Sequence, residues 1–182
     1  ETFNSTSTTL GCWTVLNENN DGDTWGLNTS SSYVQEGDQS AQIYTDYNAG
    51  NNDDYLVSPG VVLTGGERLK FWFRARSSSE PNDFEVLLST TGINPSDFTN
   101  VLYEDTATST TYSEVIIDLS AYSGTIYVAF HIPSGGLDGY YLYVDNVTIE
   151  AIPSCIAPTA LGATNITSAS ADIFWTTGGA SD

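Results

Sequence analysis

Hydrophobic and polar residues alternate one by one through several short stretches of this chain, and that period of two marks strands with one buried face. In "RLKFWFRAR", Leu69, Phe71, Phe73 and Ala75 fall on one side, and Arg68, Lys70, Trp72, Arg74 and Arg76 on the other. The same pattern sets Phe84, Val86 and Leu88 on an inward face, then Val115, Ile117 and Leu119, then Ile126, Val128, Phe130 and Ile132. Turn signals such as "SPG", "TGG", "SEPND", "YSG" and "PSGGLDG" separate these stretches. Helical periodicity of useful length is absent, and the best candidate is one turn in "NPSDFTNVLYE", opened by Pro95 and Ser96. Many short strands between turns predict an all-β fold of antiparallel strands over residues 1–150, a β-sandwich or jelly roll.

The pattern changes after Glu150. "AIPSCIAP", residues 151–158, holds two prolines and reads as a linker. Residues 159–182 contain two potential strands, and Pro158, Leu161, Ile166, Thr167, Ala171, Ile173 and Trp175 resemble the first two strands of a fibronectin type III module. Such a sandwich takes about 100 residues, so this segment reads as a truncated one.

Composition adds the charge. The 182 residues carry 23 acids against four bases, a formal net charge of -19, which repels phosphate backbones and anionic lipid and argues against nucleic acid as a partner. Forty per cent hydrophobic and 12% aromatic content is that of a folded chain. No apolar run reaches about 18 residues, so no membrane insertion is expected, and the opening lacks a signal-peptide pattern, as in an exported protein already processed. Self-repulsion of this size favours bound divalent cations. All four bases lie on the single strand face described above. Two readings stand side by side: ion pairs with Glu85, Glu114 and Asp118 on neighbouring strands, or a patch for acidic glycans with Trp72 as a stacking platform.

Carboxylates gather at three places. "NENNDGD" sets Asn17, Asn19, Asp21 and Asp23 at alternate positions around Gly22, like the start of an EF-hand loop. The twelfth position is Asn28 rather than glutamate and strands flank the loop, so an Asx-rich hairpin loop reads equally well. Asp53 and Asp54 precede the apolar strand "YLV", where adjacent like charges call for a cation or a donor. Asp145 stands inside "YYLYVDNVTIE", where a buried carboxylate requires a metal, an arginine or backbone donors.

Signals for catalysis are poor. His131 alternates to the face opposite Phe130 and Ile132 and reads as a surface residue, and no nucleophile motif or selected carboxylate pair accompanies it. Four N-x-Ser/Thr patterns, at Asn4, Asn28, Asn146 and Asn165, are assigned no function in a chain this rich in serine and threonine. Cys12 and Cys155 lie near opposite ends. In an exported protein, which meets oxidising conditions, a sandwich that brings its first and last strands together predicts a disulfide between them. The alternative is that Cys155 belongs to the following module.

In order, "GCWTVLNENNDGDTW", "DDYLVSPGVVL", "LKFWFRAR", "FEVLLSTTGINPSDFTNVLYEDT", "YVAFHIP" and "YYLYVDNVTIE" resemble the cleaved adhesin domain of gingipain and haemagglutinin adhesins, also called choice-of-anchor J or MAM-like. The resemblance spans nearly all of residues 1–150. It implies a jelly-roll sandwich of a secreted or surface protein, calcium as cofactor, fibronectin type III neighbours and export by type IX secretion machinery. By motif position it implies metal ligands among Glu1, Asp21, Asp23, Asp53, Asp54 and Asp145, with calcium expected to join Glu1, Asp145 and one of the loop or pre-strand aspartates. No protease segment is present, so proteolysis is not implied.

The expected function is a non-catalytic, calcium-binding adhesion or ligand-binding module, with a host or environmental glycan or a matrix protein as partner. The alternative is an accessory, substrate-targeting domain of a secreted peptidase or polysaccharide-degrading enzyme whose catalytic part lies elsewhere. Trp25, Tyr33, Tyr44 and Tyr47 offer aromatic faces for stacking beside the acidic loop, and Trp72 and Arg74 a second surface should that loop not carry recognition.

Overall fold

A computed structural model describes residues 1–45, 52–137, 139–153 and 159–176. The chain divides into two compact units, Glu1–Glu150 and Ala151–Asp182.

The first unit contains β1 (Thr14–Asn17), β2 (Gly26–Asn28), β3 (Ser40–Tyr44), β4 (Asp54–Val57), β5 (Val61–Leu63), β6 (Glu67–Ala75), β7 (Asn82–Ser89), β8 (Asn100–Ala107), β9 (Ser113–Asp118), β10 (Gly124–Ile132) and β11 (Tyr141–Ala151). One sheet runs β1-β4-β10-β7-β8, with β5 also paired to β10, and the other runs β2-β3-β11-β6-β9. The paired strands are antiparallel. This is an all-β jelly-roll sandwich.

The core lies between the sheets and is built by the alternation that the sequence shows. Leu69, Phe71, Phe73 and Ala75 of β6 are buried, as are Phe84, Val86 and Leu88 of β7 and Ile126, Val128, Phe130 and Ile132 of β10. Phe71, Phe73, Phe84, Tyr103 and Phe130 meet with ring centroids 4.9 to 6.2 Å apart, in tilted and edge-on pairs that suit the ring quadrupoles.

Both sheets are also covered in part on their outer faces. On the first, Tyr55, Val57, Leu87, Phe98 and Ala129 form a small second cluster. Phe98 reaches it from a one-turn 3-10 helix, Pro95–Asp97, where the expected turn stands. Asn94 and Asp97 close that turn as a capping box, with the Asn94 N–H donating to Asp97 at 2.9 Å. On the second sheet, Leu142 and Val144 of β11 face the core, while Tyr143 and Asp145 face outward yet are 1% and 0% exposed. The segment between β2 and β3 crosses over them. Its turn needs Gly37, whose φ is +84° and whose missing side chain makes room for Asn4, which accepts from the Asp38 N–H at 2.8 Å.

In the second unit, β12 (Thr159–Thr164) and β13 (Asp172–Thr176) pair antiparallel with an irregularity between Thr159 and Gly162. Leu161, Ile166, Ile173, Phe174 and Trp175 are exposed. Among the described residues no helix is long and apolar enough to cross a membrane.

Candidate functional site

The outward face of β6 is divided in two. Arg68 donates to Glu150 from Nη2 at 2.6 Å and from Nε at 2.9 Å, and Lys70 stands 3.3 Å from Glu114 and 3.7 Å from Glu150. Of the three carboxylates expected to offset the basic stripe, Glu114 does so. Asp118 lies opposite Arg68 in register, but Arg68 turns to Glu150. Glu85 is on the other sheet. This end of the stripe is neutralised.

Arg74 and Arg76 are held by rings instead. The Arg74 guanidinium lies 5.1 Å from the Tyr33 ring centroid and 5.8 Å from that of Tyr112, and it donates to the carbonyls of Ser32 and Ala75, both at 3.2 Å. Arg76 lies over Tyr33 at 5.2 Å, Tyr140 at 4.8 Å and Tyr141 at 5.1 Å. Tyr33 is thus shared between both cations, and beneath it Tyr143 is stacked in parallel at 4.8 Å. Burial first, with the nearby tyrosines, pushes the Tyr143 phenol up to about 12. The Tyr112 hydroxyl donates to the Tyr33 carbonyl at 2.9 Å and fixes the crossing segment to β9's approach. Tyr44 extends the group through contacts with Tyr140 and Tyr141, and Trp72 stands half-buried on the same strand face as the two arginines. The result is a half-buried tyrosine-arginine surface on the second sheet.

Sequence reasoning named Tyr33, Tyr44, Trp72 and Arg74 for this role but missed Tyr112, Tyr140, Tyr141 and Arg76's cage. The signal was present in "YYLYVD", where Tyr141, Tyr143 and Asp145 share one face. Tyr47 lies outside the described residues. Trp25 corrects its expectation: it is 3% exposed, packs in the core and donates its indole N–H to the Asp54 carbonyl at 3.2 Å, so it presents no ring for stacking. His131 corrects another. It points away from the main core as alternation requires, but it is 7% exposed, set between Glu85 at 3.1 Å and Asp53 at 3.0 Å and stacked on Tyr55 at 3.9 Å.

The acids do not converge as expected. Asp145 accepts from the backbone N–H groups of Gln35 at 2.8 Å, Glu36 at 3.1 Å and Asn146 at 2.7 Å. Burial pushes its carboxyl up, and those three donors oppose the rise without cancelling it. Glu1 accepts from the Phe3 N–H, Ser7 and Thr9. Burial raises its carboxyl, but the hydroxyls and its own amino group outweigh that and leave it below its ordinary value. Within the acidic loop, Asp21 accepts from the N–H groups of Gly22 at 2.6 Å and Asp23 at 2.9 Å, and Asn17 accepts from Asn20 at 2.7 Å. The loop is therefore ordered in good part by its own Asx turns. Among the described residues no three of His, Cys, Asp and Glu are grouped so as to hold a metal ion.

Asp54 is the exception in this set. It is fully buried, and neither carboxylate oxygen has a hydrogen bond of good geometry, although the buried Thr24 hydroxyl is close by and is itself without such a bond. Burial pushes the Asp54 carboxyl up to about 6, against the lowering effect of the Thr24 hydroxyl and with the help of the charges of Asp21 and Asp53. A buried carboxylate with orphaned oxygens, beside Asp21 and a hydroxyl, is a donor set suited to a hard cation such as calcium. Cys12 is exposed, and Cys155 lies outside the described residues.

Residues 1–149 match the model of the Cleaved Adhesin Domain. The chain belongs to this family. Hemagglutinin A of Porphyromonas gingivalis is 30% identical, over 80% of this chain and 6% of its own length, so the chain corresponds to a small part of that relative. The K1 cleaved adhesin domain of Lys-gingipain from Porphyromonas gingivalis W83 superposes with a TM-score of 0.70 at 26% identity, covering 84% of this chain and 97% of that domain. The C-terminal family 22 carbohydrate binding module of Clostridium thermocellum Xyn10B superposes at 0.52 with 13% identity, over 86% of this chain and 94% of that one, a likeness of fold alone.

Proposed function

We propose that the first unit is a non-catalytic, calcium-ordered module that attaches a secreted or cell-surface multidomain protein to glycans through its tyrosine-arginine face. The observation that carries this reading is the placing of Arg74 and Arg76 over Tyr33, Tyr112, Tyr140 and Tyr141, at the strand ends of the second sheet and the segment that crosses it. Sugar rings stack on aromatic faces and their hydroxyls accept from guanidinium donors. The crossing segment that carries Tyr33 is held down by Asp145 and Tyr112, and a surface ordered in advance lowers the entropy cost of binding. Membership of an adhesin family, and a sandwich shared with a carbohydrate binding module, support the same direction.

Calcium belongs to the reading through Asp54, whose orphaned oxygens a cation would satisfy together with Asp21 and Thr24. Such an ion would supply charge neutralisation and loop order. The chemistry of recognition stays with the sheet. Export through type IX machinery and a fibronectin type III character for β12 and β13 are carried over from the resemblance of the sequence. The alternative role, targeting a secreted peptidase to its substrate, is favoured by the occurrence of the K1 relative within Lys-gingipain. It uses the same face.

The test is a glycan and matrix-protein binding screen on the intact chain, with calcium and with chelator, repeated for Tyr140→Ala and Trp72→Ala. Loss of saccharide binding in Tyr140→Ala, with its melting temperature preserved, is the expected result. Full binding in both variants would place recognition elsewhere on the molecule.

A further inference from the structure

The four bases of the chain are not equivalent. Arg68 and Lys70 face carboxylates at 2.6 and 3.3 Å. Arg74 and Arg76, on the same strand face, have no ion pair among the described residues, in a chain that carries 23 acids. Rings hold them instead, and a guanidinium over a ring keeps its charge and its in-plane N–H donors. Arg74 uses donors on two carbonyls of the first coordination layer around it, Ser32 and Ala75, which fixes its plane. What remains is the outer Nη end of Arg74, its plane fixed, and the Arg76 guanidinium over Tyr33, Tyr140 and Tyr141.

We propose that Arg74 and Arg76 recognise the carboxylate of an acidic sugar, a uronate or sialate residue, whose ring lies against Tyr140. This rests on the reading of the same face as the glycan-binding face and names the class of glycan. The guanidinium fork matches a planar carboxylate in bidentate fashion, which a neutral hydroxyl cannot reproduce. The ligand carries one isolated charge rather than many. Each further negative charge on it meets the field of a chain at -19, while only two guanidiniums attract it. The salt dependence follows from the same balance. Salt screens distant acids beyond a Debye length of about 10 Å at 0.1 M, but it weakens a contact between partly buried groups far less. Affinity for the acidic sugar therefore holds or rises between about 0.02 and 0.15 M salt, opposite to a polybasic site.

The experiment is calorimetric titration of the intact chain with oligosaccharides ending in a single glucuronate or sialate, each paired with its neutral counterpart. The acidic member is expected to bind about tenfold more tightly, in keeping with a charge-assisted bidentate pair. Arg76→Gln and Arg74→Gln, checked for unchanged melting, are expected to reduce acidic binding to the neutral level, and Arg68→Gln to leave it unchanged. Equal affinity for acidic and neutral members, or acidic binding insensitive to both arginine variants, overturns this inference while the glycan reading stands. No binding of any saccharide in either set overturns both.

Discussion

The backbone N–H of Gln35 donates to Oδ2 of Asp145 at 2.8 Å, joining residues 110 positions apart. Glu36 adds a second N–H to the same oxygen and Asn146 a third to Oδ1. Backbone donors, one of the three kinds of partner that would suit a carboxylate in this strand, meet it here. The bond pins the crossing segment over β11, and with it Tyr33 over Tyr143. Asp145→Ala is expected to leave two crossing-segment N–H groups unpaired, at about 1 to 3 kcal/mol each if they stay buried. Asp145→Asn, which retains an acceptor oxygen, is expected to cost less. Both losses should appear equally in chelator and in calcium by chemical denaturation; a loss seen only in calcium would make Asp145 a metal ligand instead.

Asp54 should behave in the opposite way. Its carboxyl is pushed up to about 6, so at neutral pH its ionised form is held at a cost when no cation is bound. One pKa unit corresponds to about 1.4 kcal/mol, which makes that cost roughly 1 to 3 kcal/mol after allowing for solvent relaxation. In chelator, Asp54→Asn is expected to stabilise the protein by that order. In calcium at a hundredfold excess over its dissociation constant, the native chain gains about 2.7 kcal/mol and the variant gains little. Parallel melting curves with and without calcium would settle whether the site exists.

Acid should loosen a different place. Glu67 accepts from the Thr64 hydroxyl and from the N–H groups of Thr64, Gly65 and Gly66, and those bonds, the hydroxyl first, lower its carboxyl to about 2. A carboxyl lower in the folded than in the unfolded chain contributes stability above about 4.5 and loses it as pH falls through about 2. Amide exchange at Gly65 and Gly66 is expected to rise across that window. In Glu67→Gln the same amides should exchange fast already at neutral pH.

Trp25 and Trp72 should separate cleanly. Trp25 is core, so Trp25→Ala is expected to cost about 3 to 5 kcal/mol in denaturant midpoints. Trp72 is half-buried on the outer face of β6, so Trp72→Ala is expected to cost far less stability and to act on saccharide binding.

His131 joins β10 to β7 through Glu85 and to the residue before β4 through Asp53. His131→Leu keeps the volume but deprives two carboxylates of their partner, and a loss of about 1 to 3 kcal/mol is expected. His131→Gln, able to donate to one of them, should recover part of it. Equal stability of all three proteins would show that solvent satisfies both acids.

The inward face of β6 was legible at every second residue, because a strand has two sides and Leu69, Phe71, Phe73 and Ala75 all choose the same one. The single turn at Pro95–Asp97 was legible too, since its cap is made by residues three apart. Outward residues were another matter. His131 was read as exposed, Trp25 as a free ring, and Glu85, Glu114 and Asp118 as the partners of the basic face, where Glu150 is the one that meets Arg68.

By itself, the sequence determined the alternating strands β6, β7, β9 and β10, the side of each that forms the core, the excess of acid and the concentration of every base on one face. Only the tertiary structure decided which outward side chains stay exposed and which charges meet. The crossing segment buries Tyr143 and Asp145, and sheet order brings Glu150 of β11 beside Arg68 and Lys70 while leaving Arg74 and Arg76 to the tyrosines. The physical reason is range. Side-chain alternation is a local consequence of backbone geometry, whereas cover and charge pairing depend on strand neighbours and loops that lie tens of residues away.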